Sequence, residues 1–210
     1  MSFPFWWALK TINLKPPSGW QEQYSHPQKL IDLLADSVGK DQLENMLAAN
    51  NMAVPTVAQV NTLKTTTEAL VKALEAEDVV ALPHSWMPDC LVLSNTGSLE
   101  KLQAFKDGLF YVQDAASKLC VLCAQIPASL CVLCADIPQG DAVRGLDCCA
   151  APGGKTFAAA IAMGGRGKIR SCDIHRHKTV LIQHGADRLG LENVHIREQD
   201  ATENHPGWFG

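Results

Sequence analysis

The chain has no run of apolar residues that approaches the roughly 18 needed to cross a membrane, which argues against a membrane-spanning protein. Residues 1–7 lack a basic segment followed by an apolar stretch, so a secretory signal is not expected. Positive charge is not in excess: 18 Lys and Arg stand against 22 Asp and Glu, and a net charge of −4 disfavours a generic polyanion binder. Eight cysteines without a secretory signal indicate a reducing compartment, so we expect a cytoplasmic protein with no membrane partner.

Length and composition are those of an ordinary globular protein. The 210 residues allow one large or two small domains, and 47% of them are hydrophobic against 19% charged. Residues 1–23 show no clear periodicity, and we interpret them as a leader or the remnant of something upstream. Residues 24–106 follow the order helix, helix, strand, helix, strand, which predicts a small α+β domain.

In the remaining segment, residues 107–210, apolar strands alternate with helices. The pattern predicts strands over 143–148, 168–172 and 193–197, separated by helices over 154–163 and 175–189. This alternation is typical of an α/β fold with a parallel, Rossmann-like sheet. Because complete sheets of this kind usually have about five to seven strands, we expect an unfinished sheet whose first strand has one unpaired edge.

Local signals mark the starts of three helices in the smaller predicted domain. Pro27 is tolerated in the first turn of a helix, and Asp41 can cap a second. Thr65-x-x-Glu68 has the spacing of a capping box for a third helix.

The most informative stretch is the turn of small residues that links the strand at 143–148 to the following helix. Such a turn lets backbone N–H groups and a helix N-terminus face a bound anionic group. Asp173 follows Gly154 by 19 residues at the end of the next apolar run, a spacing that suits a carboxylate on ribose hydroxyls, although a plain helix cap is the alternative. Asp200 follows the third strand in the same way, and Lys155 is either solvated or neutralises a carboxylate at the loop.

Two other kinds of site are disfavoured. A triphosphate loop requires Gly where this chain has Cys149, and Pro152 has no N–H to donate to a phosphate. Zinc could bind two Cys-x-x-Cys pairs, but these arise from one near-identical repeat, residues 119–127 and 130–138, with apolar spacers. Buried apolar cysteines are the favoured interpretation of the four, so we predict no metal site: Cys120, Cys123, Cys131 and Cys134.

Charge is uneven along the chain. Residues 155–188 contain seven Lys and Arg and three His against two Asp. A solvated helix face and a patch that faces nucleic acid are both open interpretations of this stretch.

Several stretches together resemble the Sun-type RNA cytosine-C5 methyltransferase family. The Ala-Ala-Pro-Gly-Gly-Lys-Thr string is highly specific, and the other stretches occur in the family's order and rough spacing. The matching pieces are Tyr24-Ser-His-Pro27, Ala48-Ala-Asn-Asn51, Val60-Asn-Thr-Leu-Lys64, Val112-Gln-Asp114 and Leu146-Asp-Cys-Cys-Ala-Ala-Pro-Gly-Gly-Lys-Thr156.

The resemblance implies S-adenosyl-L-methionine as cofactor and ribosomal RNA as partner. Asp173 would hold the ribose, Asp200 would lie by the adenine, and residues 24–106 would help to position RNA. The cofactor loop would be formed by Cys149, Ala150, Ala151, Pro152, Gly153, Gly154 and Lys155.

The chain departs from the family pattern in ways that bear on activity. The family's working cysteines follow Pro and Thr after the fourth and fifth strands, whereas this chain has no Pro-Cys or Thr-Cys dipeptide and ends before a fourth strand. Gln59 stands where the family usually has Arg. We therefore expect part of a methyltransferase that lacks the nucleophile, with no catalytic residue of its own. A non-catalytic RNA-binding or assembly module is the alternative.

Overall fold

The computed structural model describes residues 19–124 and 144–203. By compactness the chain divides into two units, Met1–Val54 and Pro55–Gly210. The domain bounds 24–106 and 107–210 follow sequence pattern rather than compactness, and they stay a prediction. Most of the interpreted leader, most of the repeat and two cysteines of the zinc alternative, Cys131 and Cys134, lie outside the described residues.

Three helices make up the described part of the first unit, with Ile31, Leu43 and Leu47 as their buried core. They are α1 (Trp20–Gln23), α2 (Gln28–Val38) and α3 (Lys40–Asn50). Asn51 Nδ2 donates to the Tyr24 carbonyl at 2.8 Å. The Tyr24–Pro27 and Ala48–Asn51 stretches, which both carry the family resemblance, are therefore joined by a hydrogen bond.

The first two helix starts differ from the predicted ones. Pro27 lies immediately before α2 rather than in its first turn. Gly39, with φ of +82°, ends α2 and directly precedes α3, so Asp41 lies within the first turn of α3 and does not cap it. Asp41 still stabilises that turn, because an acidic side chain there complements the helix dipole.

An antiparallel sheet of four strands begins the second unit. Its elements are β1 (Thr56–Val60), α4 (Thr67–Glu75), β2 (Val80–Pro83), β3 (Cys90–Ser94), α5 (Gln103–Lys106) and β4 (Phe110–Val112), with a 3₁₀ turn at Leu99–Lys101. The strand order is β2-β3-β1-β4. Thr66 caps α4 by accepting from the Ala69 N–H at 3.2 Å, so the predicted capping box is wrong by one residue. The sequence pattern does not predict β4, because three residues are too few to show an alternation.

The predicted parallel α/β sheet is confirmed. Helix α6 (Ala115–Cys123) precedes β5 (Arg144–Asp147), α7 (Gly154–Ala162), β6 (Lys168–Asp173), α8 (Arg176–Leu189) and β7 (Val194–Glu198). The order is β5-β6-β7, and among the described residues β5 pairs with β6 alone. Phe157, Ile182 and Leu189 of the two crossover helices are buried in the core against Ile169 of β6. No described helix is long and apolar enough to span a membrane.

The C-terminal end of α8 docks against the antiparallel sheet. Asn61, which is fully buried, donates from Nδ2 to the carbonyls of Gly108 and Leu189, both at 2.9 Å. Lys64 Nζ donates to the Arg188 carbonyl at 3.0 Å. The last carbonyls of a helix lack an intrahelical partner, and these two side chains of the Val60–Lys64 stretch supply one.

Arg188 of α8 in turn contacts α5 and β4. Its guanidinium lies over the Phe105 ring, 3.7 Å from the ring centre, a cation–π contact. Its Nη1 also donates to the carbonyls of Phe105 at 2.6 Å and Phe110 at 3.0 Å. Burial lowers the pKa of Arg188, and these contacts offset part of that desolvation.

We expect Gly108→Ala to destabilise the fold more than Gly164→Ala. Both glycines have a positive φ, +69° and +66°, so either alanine brings about 1–2 kcal/mol of backbone strain. Of the two, only Gly108 would also suffer a steric clash, because an added Cβ would lie 2.0 Å from the Arg188 carbonyl oxygen. At Gly164 an added Cβ would have no atom within 4 Å. The free energy of unfolding, measured in urea, should fall by about 1–3 kcal/mol more for Gly108→Ala than for Gly164→Ala. Equal decreases in the two variants would contradict tight packing between Gly108 and the C-terminal end of α8.

Candidate functional site

The predicted cofactor loop, Cys149–Lys155, connects β5 to α7 in a compact turn. The Ala150 N–H donates to the Cys172 carbonyl at 2.9 Å, which ties the loop to the end of β6. The Gly153 N–H donates to the Ala150 carbonyl at 2.7 Å across a cis Ala151–Pro152 peptide. Gly153 has a φ of +113°, a conformation that glycine adopts readily and other residues rarely do.

The start of α7 is open to an anion. Its N-cap is Gly153, and within the described chain no side chain caps it. The first N–H groups of a helix lack intrahelical acceptors and carry the positive end of the helix dipole. These groups suit a carboxylate or phosphate oxygen.

The Phe157 ring packs beneath the loop where two glycines leave room for it. A Cβ on Gly153 would lie 2.3 Å from a ring carbon of Phe157, and one on Gly185 of α8 would lie 2.4 Å from the same atom. Tyr111 meets the ring edge to face at 5.9 Å. The loop therefore rests on a ring that is wedged between α7 and α8.

A buried hydroxyl joins the three elements below the loop. Thr156 Oγ1 donates to Asp147 Oδ2 at 2.8 Å and lies 2.9 Å from Ser171 Oγ. Because Thr156 has one hydroxyl proton, Ser171 is the donor in the second bond. Thr156 and Ser171 are fully buried, and Asp147 Oδ1 accepts from the Cys149 N–H at 3.4 Å. The end of β5, the first turn of α7 and the interior of β6 are thus joined through one side chain.

A cleft of about 1210 Å³ opens beside the loop. Its other walls are residues 96–100, residues 111–113 and the α8 side chains Leu181, His184 and Arg188. Gly153 is buried behind the turn. Six of the seven predicted loop residues line the cleft: Cys149, Ala150, Ala151, Pro152, Gly154 and Lys155.

The two predicted carboxylates lie at the carboxyl ends of neighbouring strands. Asp173 is the last residue of β6, is 8% exposed, and accepts from the His175 N–H at 3.0 Å through Oδ1. Asp200 follows β7 by two residues and accepts from the Thr202 N–H and Oγ1 at 2.8 and 2.7 Å. Parallel strands bring both to the edge of the sheet where the loop lies. Neither is among the described residues that line the cleft.

Two cysteines near the loop, Cys148 and Cys172, lie in surroundings that do not activate a thiol. Burial, together with the neighbouring Cys149 and Asp147, raises the pKa of Cys148. Burial likewise raises the pKa of Cys172. A nucleophilic cysteine requires a lowered pKa, which favours the prediction that neither residue is catalytic.

Two family models match the chain. The model for the ferredoxin-like domain of RsmF/B-like methyltransferases matches residues 26–100, and the model for 16S rRNA methyltransferase RsmB/F matches residues 136–209. Together they span more than half of the chain. The chain belongs to the RsmB/F methyltransferase family.

Individual relatives agree with this membership. The probable ribosomal RNA small subunit methyltransferase B of Bacillus subtilis is 31% identical over 179 residues, 85% of this chain and 37% of the relative. The 25S rRNA (cytosine-C(5))-methyltransferase NSUN5 of Arabidopsis thaliana is 29% identical over 84% of this chain and 28% of the relative. The chain thus spans well under half the length of these relatives.

A solved structure shows the same fold. The crystal structure of NSun6 from Pyrococcus horikoshii with SFG superposes with a TM-score of 0.67 at 20% identity, covering 83% of this chain and 66% of that one. At this identity the likeness establishes architecture alone.

Several residues around the loop have contacts that the sequence alone does not predict. Thr156 ends the Gly-Gly-Lys-Thr string, yet its hydroxyl bonds are visible only once β6 is placed beside α7. Gln113 lies in the Val-Gln-Asp stretch and lines the cleft, although the sequence predicts no role for it. Gln59 is fully buried, and its Nε2 donates to the Gln113 carbonyl at 3.0 Å.

We expect Thr156→Val to destabilise the second unit more than Thr156→Ser does. Valine has nearly the same shape but leaves the Asp147 carboxylate and the Ser171 hydroxyl without their buried partner, at a cost of about 1–3 kcal/mol. Serine keeps both hydrogen bonds and gives up one methyl group, about 0.8 kcal/mol. Equilibrium urea unfolding measures both. A Thr156→Ser variant as unstable as Thr156→Val would mean that the methyl group, rather than the hydroxyl, matters.

Proposed function

We propose that this chain is the cofactor-holding part of an S-adenosyl-L-methionine-dependent ribosomal RNA cytosine-C5 methyltransferase. The observation that carries the proposal is the meeting of three features at one edge of the parallel sheet. These are the Cys149–Lys155 loop with the uncapped start of α7, the buried Asp173 at the end of β6, and Asp200 just past the end of β7.

The described residues fit the cofactor's chemical groups. The cofactor supplies an activated methyl group. The N–H groups at the start of α7 suit the carboxylate of its methionine end, because that N-terminus carries partial positive charge. The Asp173 carboxylate suits the two ribose hydroxyls, and Asp200 is assigned to the adenine side of the site. Gly153 leaves room for the Phe157 ring that supports the loop, and Gly154 leaves room for the Gln113 amide beside the start of α7.

The RNA substrate is inferred from family membership and from relatives whose names specify ribosomal RNA and cytosine C5. Residues 24–106, which include the Asn61 and Lys64 side chains that contact α8, are assigned to RNA positioning. We assign no catalytic residue to this chain, in keeping with the raised pKa of Cys148. The cytoplasm, where a ribosomal RNA substrate would be met, is the proposed location.

A role as an RNA-binding or assembly module without catalysis is the second candidate. The observation in its favour is a basic, exposed helix start: His175, Arg176 and His177 are exposed at the beginning of α8. Basic residues at this end of a helix oppose the helix dipole, so solvation or an anionic partner must offset that cost.

We expect Asp173→Asn to weaken binding of S-adenosylhomocysteine by about tenfold or more, because a hydrogen bond to a charged group contributes about 1.5–3 kcal/mol. Asparagine keeps the Oδ1 that accepts from His175, so the start of α8 stays intact. Asp187→Asn is the matched control, since Asp187 is an exposed carboxylate farther along α8. Isothermal titration calorimetry measures the three affinities. Equal affinities for wild type and Asp173→Asn would remove the ribose assignment.

The RNA-binding candidate predicts retention of ribosomal RNA fragments without cofactor and with a steep salt dependence. Replacing Arg176 and Lys178 by Gln should then lower the slope of log K against log salt by about two, roughly one for each phosphate that is no longer neutralised. Lys29→Gln with Lys40→Gln, in the first unit, is the control of equal charge change. A slope that changes equally in both pairs would argue against a specific basic surface on α8.

A further inference from the structure

Gln113 lies between β4 and α6 and forms part of the cleft wall next to the cofactor loop. Its side chain is 9% exposed and packs against the start of α7. A Cβ on Gly154 would lie 3.0 Å from Gln113 Nε2 and 3.3 Å from its Cδ. The absence of a side chain at Gly154 is therefore what allows the amide to lie over the first turn of α7.

The amide oxygen of Gln113 has no hydrogen-bond donor among the described residues. Leaving a buried acceptor unpaired costs about 1–3 kcal/mol, so folded proteins rarely keep one without a reason. Two other buried amide oxygens share this condition, those of Gln59 and Asn193, but neither residue lines the cleft. Among the described residues with such an oxygen, Gln113 is thus the one that also lines the cleft.

A ligand in the cleft that carries a hydrogen-bond donor close to the start of α7 would supply the missing partner. The N–H groups of that helix take an anion, so the ligand group beside them has an oxygen anion and a donor a short distance apart. An α-amino acid zwitterion has this arrangement, with its carboxylate and its ammonium on one carbon. An amide oxygen is a suitable acceptor for the ammonium, because hydrogen bonds from a cation are stronger than neutral ones.

We propose that Gln113 is a ligand-contacting residue whose Oε1 accepts a hydrogen bond from the α-ammonium of the methionine end of the cofactor. This assignment rests on the proposed function and adds to it the residue that recognises the amino group. It makes Gln113 specific for the amino-acid portion of the ligand, without effect on the recognition of the nucleoside.

The test compares two ligands that differ at that end. S-adenosylhomocysteine carries the α-ammonium and carboxylate, whereas 5′-methylthioadenosine keeps the nucleoside and lacks the amino acid. Both are titrated calorimetrically into the full chain as wild type, Gln113→Met and Gln113→Glu. Asn193→Leu is the control, because it removes a buried amide with an unpaired oxygen at the opposite end of the sheet, next to the start of β7.

Gln113→Met should weaken S-adenosylhomocysteine binding by about tenfold or more and leave 5′-methylthioadenosine binding unchanged. Gln113→Glu keeps an acceptor oxygen, so it should bind S-adenosylhomocysteine better than Gln113→Met does. A residue that acts only by packing would show the reverse order, since methionine fills the space and a buried carboxylate destabilises it. Asn193→Leu should leave both affinities unchanged.

Three results would overturn the assignment, and they are distinguishable. If wild type binds S-adenosylhomocysteine and Gln113→Met binds it equally well, the role of Gln113 is wrong and the proposed function stands. If wild type binds neither ligand, the proposed function is wrong and the assignment of Gln113 is wrong with it. A loss of both ligands in Gln113→Met, with its thermal unfolding unchanged, would also contradict specificity for the amino-acid end.

Discussion

The hydroxyl group of Thr156 is the constraint on which the geometry of the candidate site depends. It is the point at which the end of β5, the start of α7 and the interior of β6 are joined by short hydrogen bonds in a fully buried position. The loop above it is otherwise held by the backbone bonds of Ala150 to Cys172 and of Gly153 to Ala150, by the Cys149 N–H bond to Asp147 and by the Phe157 ring beneath it. A loop that presents backbone N–H groups to a ligand is useful only if its orientation is fixed before the ligand arrives, and the Asp147–Thr156–Ser171 contacts supply that preorganisation.

Helix α8 links the site to the antiparallel sheet. Asp173 precedes its first turn, and the Arg188 and Leu189 carbonyls at its other end receive Lys64 and Asn61. A helix of 14 residues is a rigid element about 21 Å long. The position of the antiparallel sheet relative to the candidate ribose carboxylate is therefore set by one helix with both ends held. This accounts for a polar Asn at a fully buried position, where an apolar residue would leave two carbonyls unpaired.

The sequence predicts the parallel sheet well because its signals are local. The apolar runs around Ile169 and Val194, the small-residue turn before α7 and Gly190 after α8 each act within a few residues. Helix starts are less predictable: Thr65 and Thr66 have the same capping chemistry, and packing rather than composition decides that Thr66 is the cap. Nor does any local signal predict the Thr156–Ser171 bond or the burial of Gln113, because both depend on residues 15 or more positions away.

Gln59 is a fully buried amide whose neighbours satisfy only its nitrogen, because its oxygen has no donor among the described residues. An arginine there would bring a cation into a fully buried position, and a buried cation requires a carboxylate or several oxygen acceptors. The Gln59 amide nitrogen instead donates to the Cys90 thiol at 3.3 Å and to the Gln113 carbonyl at 3.0 Å, both neutral groups. The neutral amide nitrogen matches these two acceptors, and it holds the backbone of Gln113 through that carbonyl. Gln59 therefore helps to place a residue that lines the cleft, even though Gln59 itself does not reach the cleft.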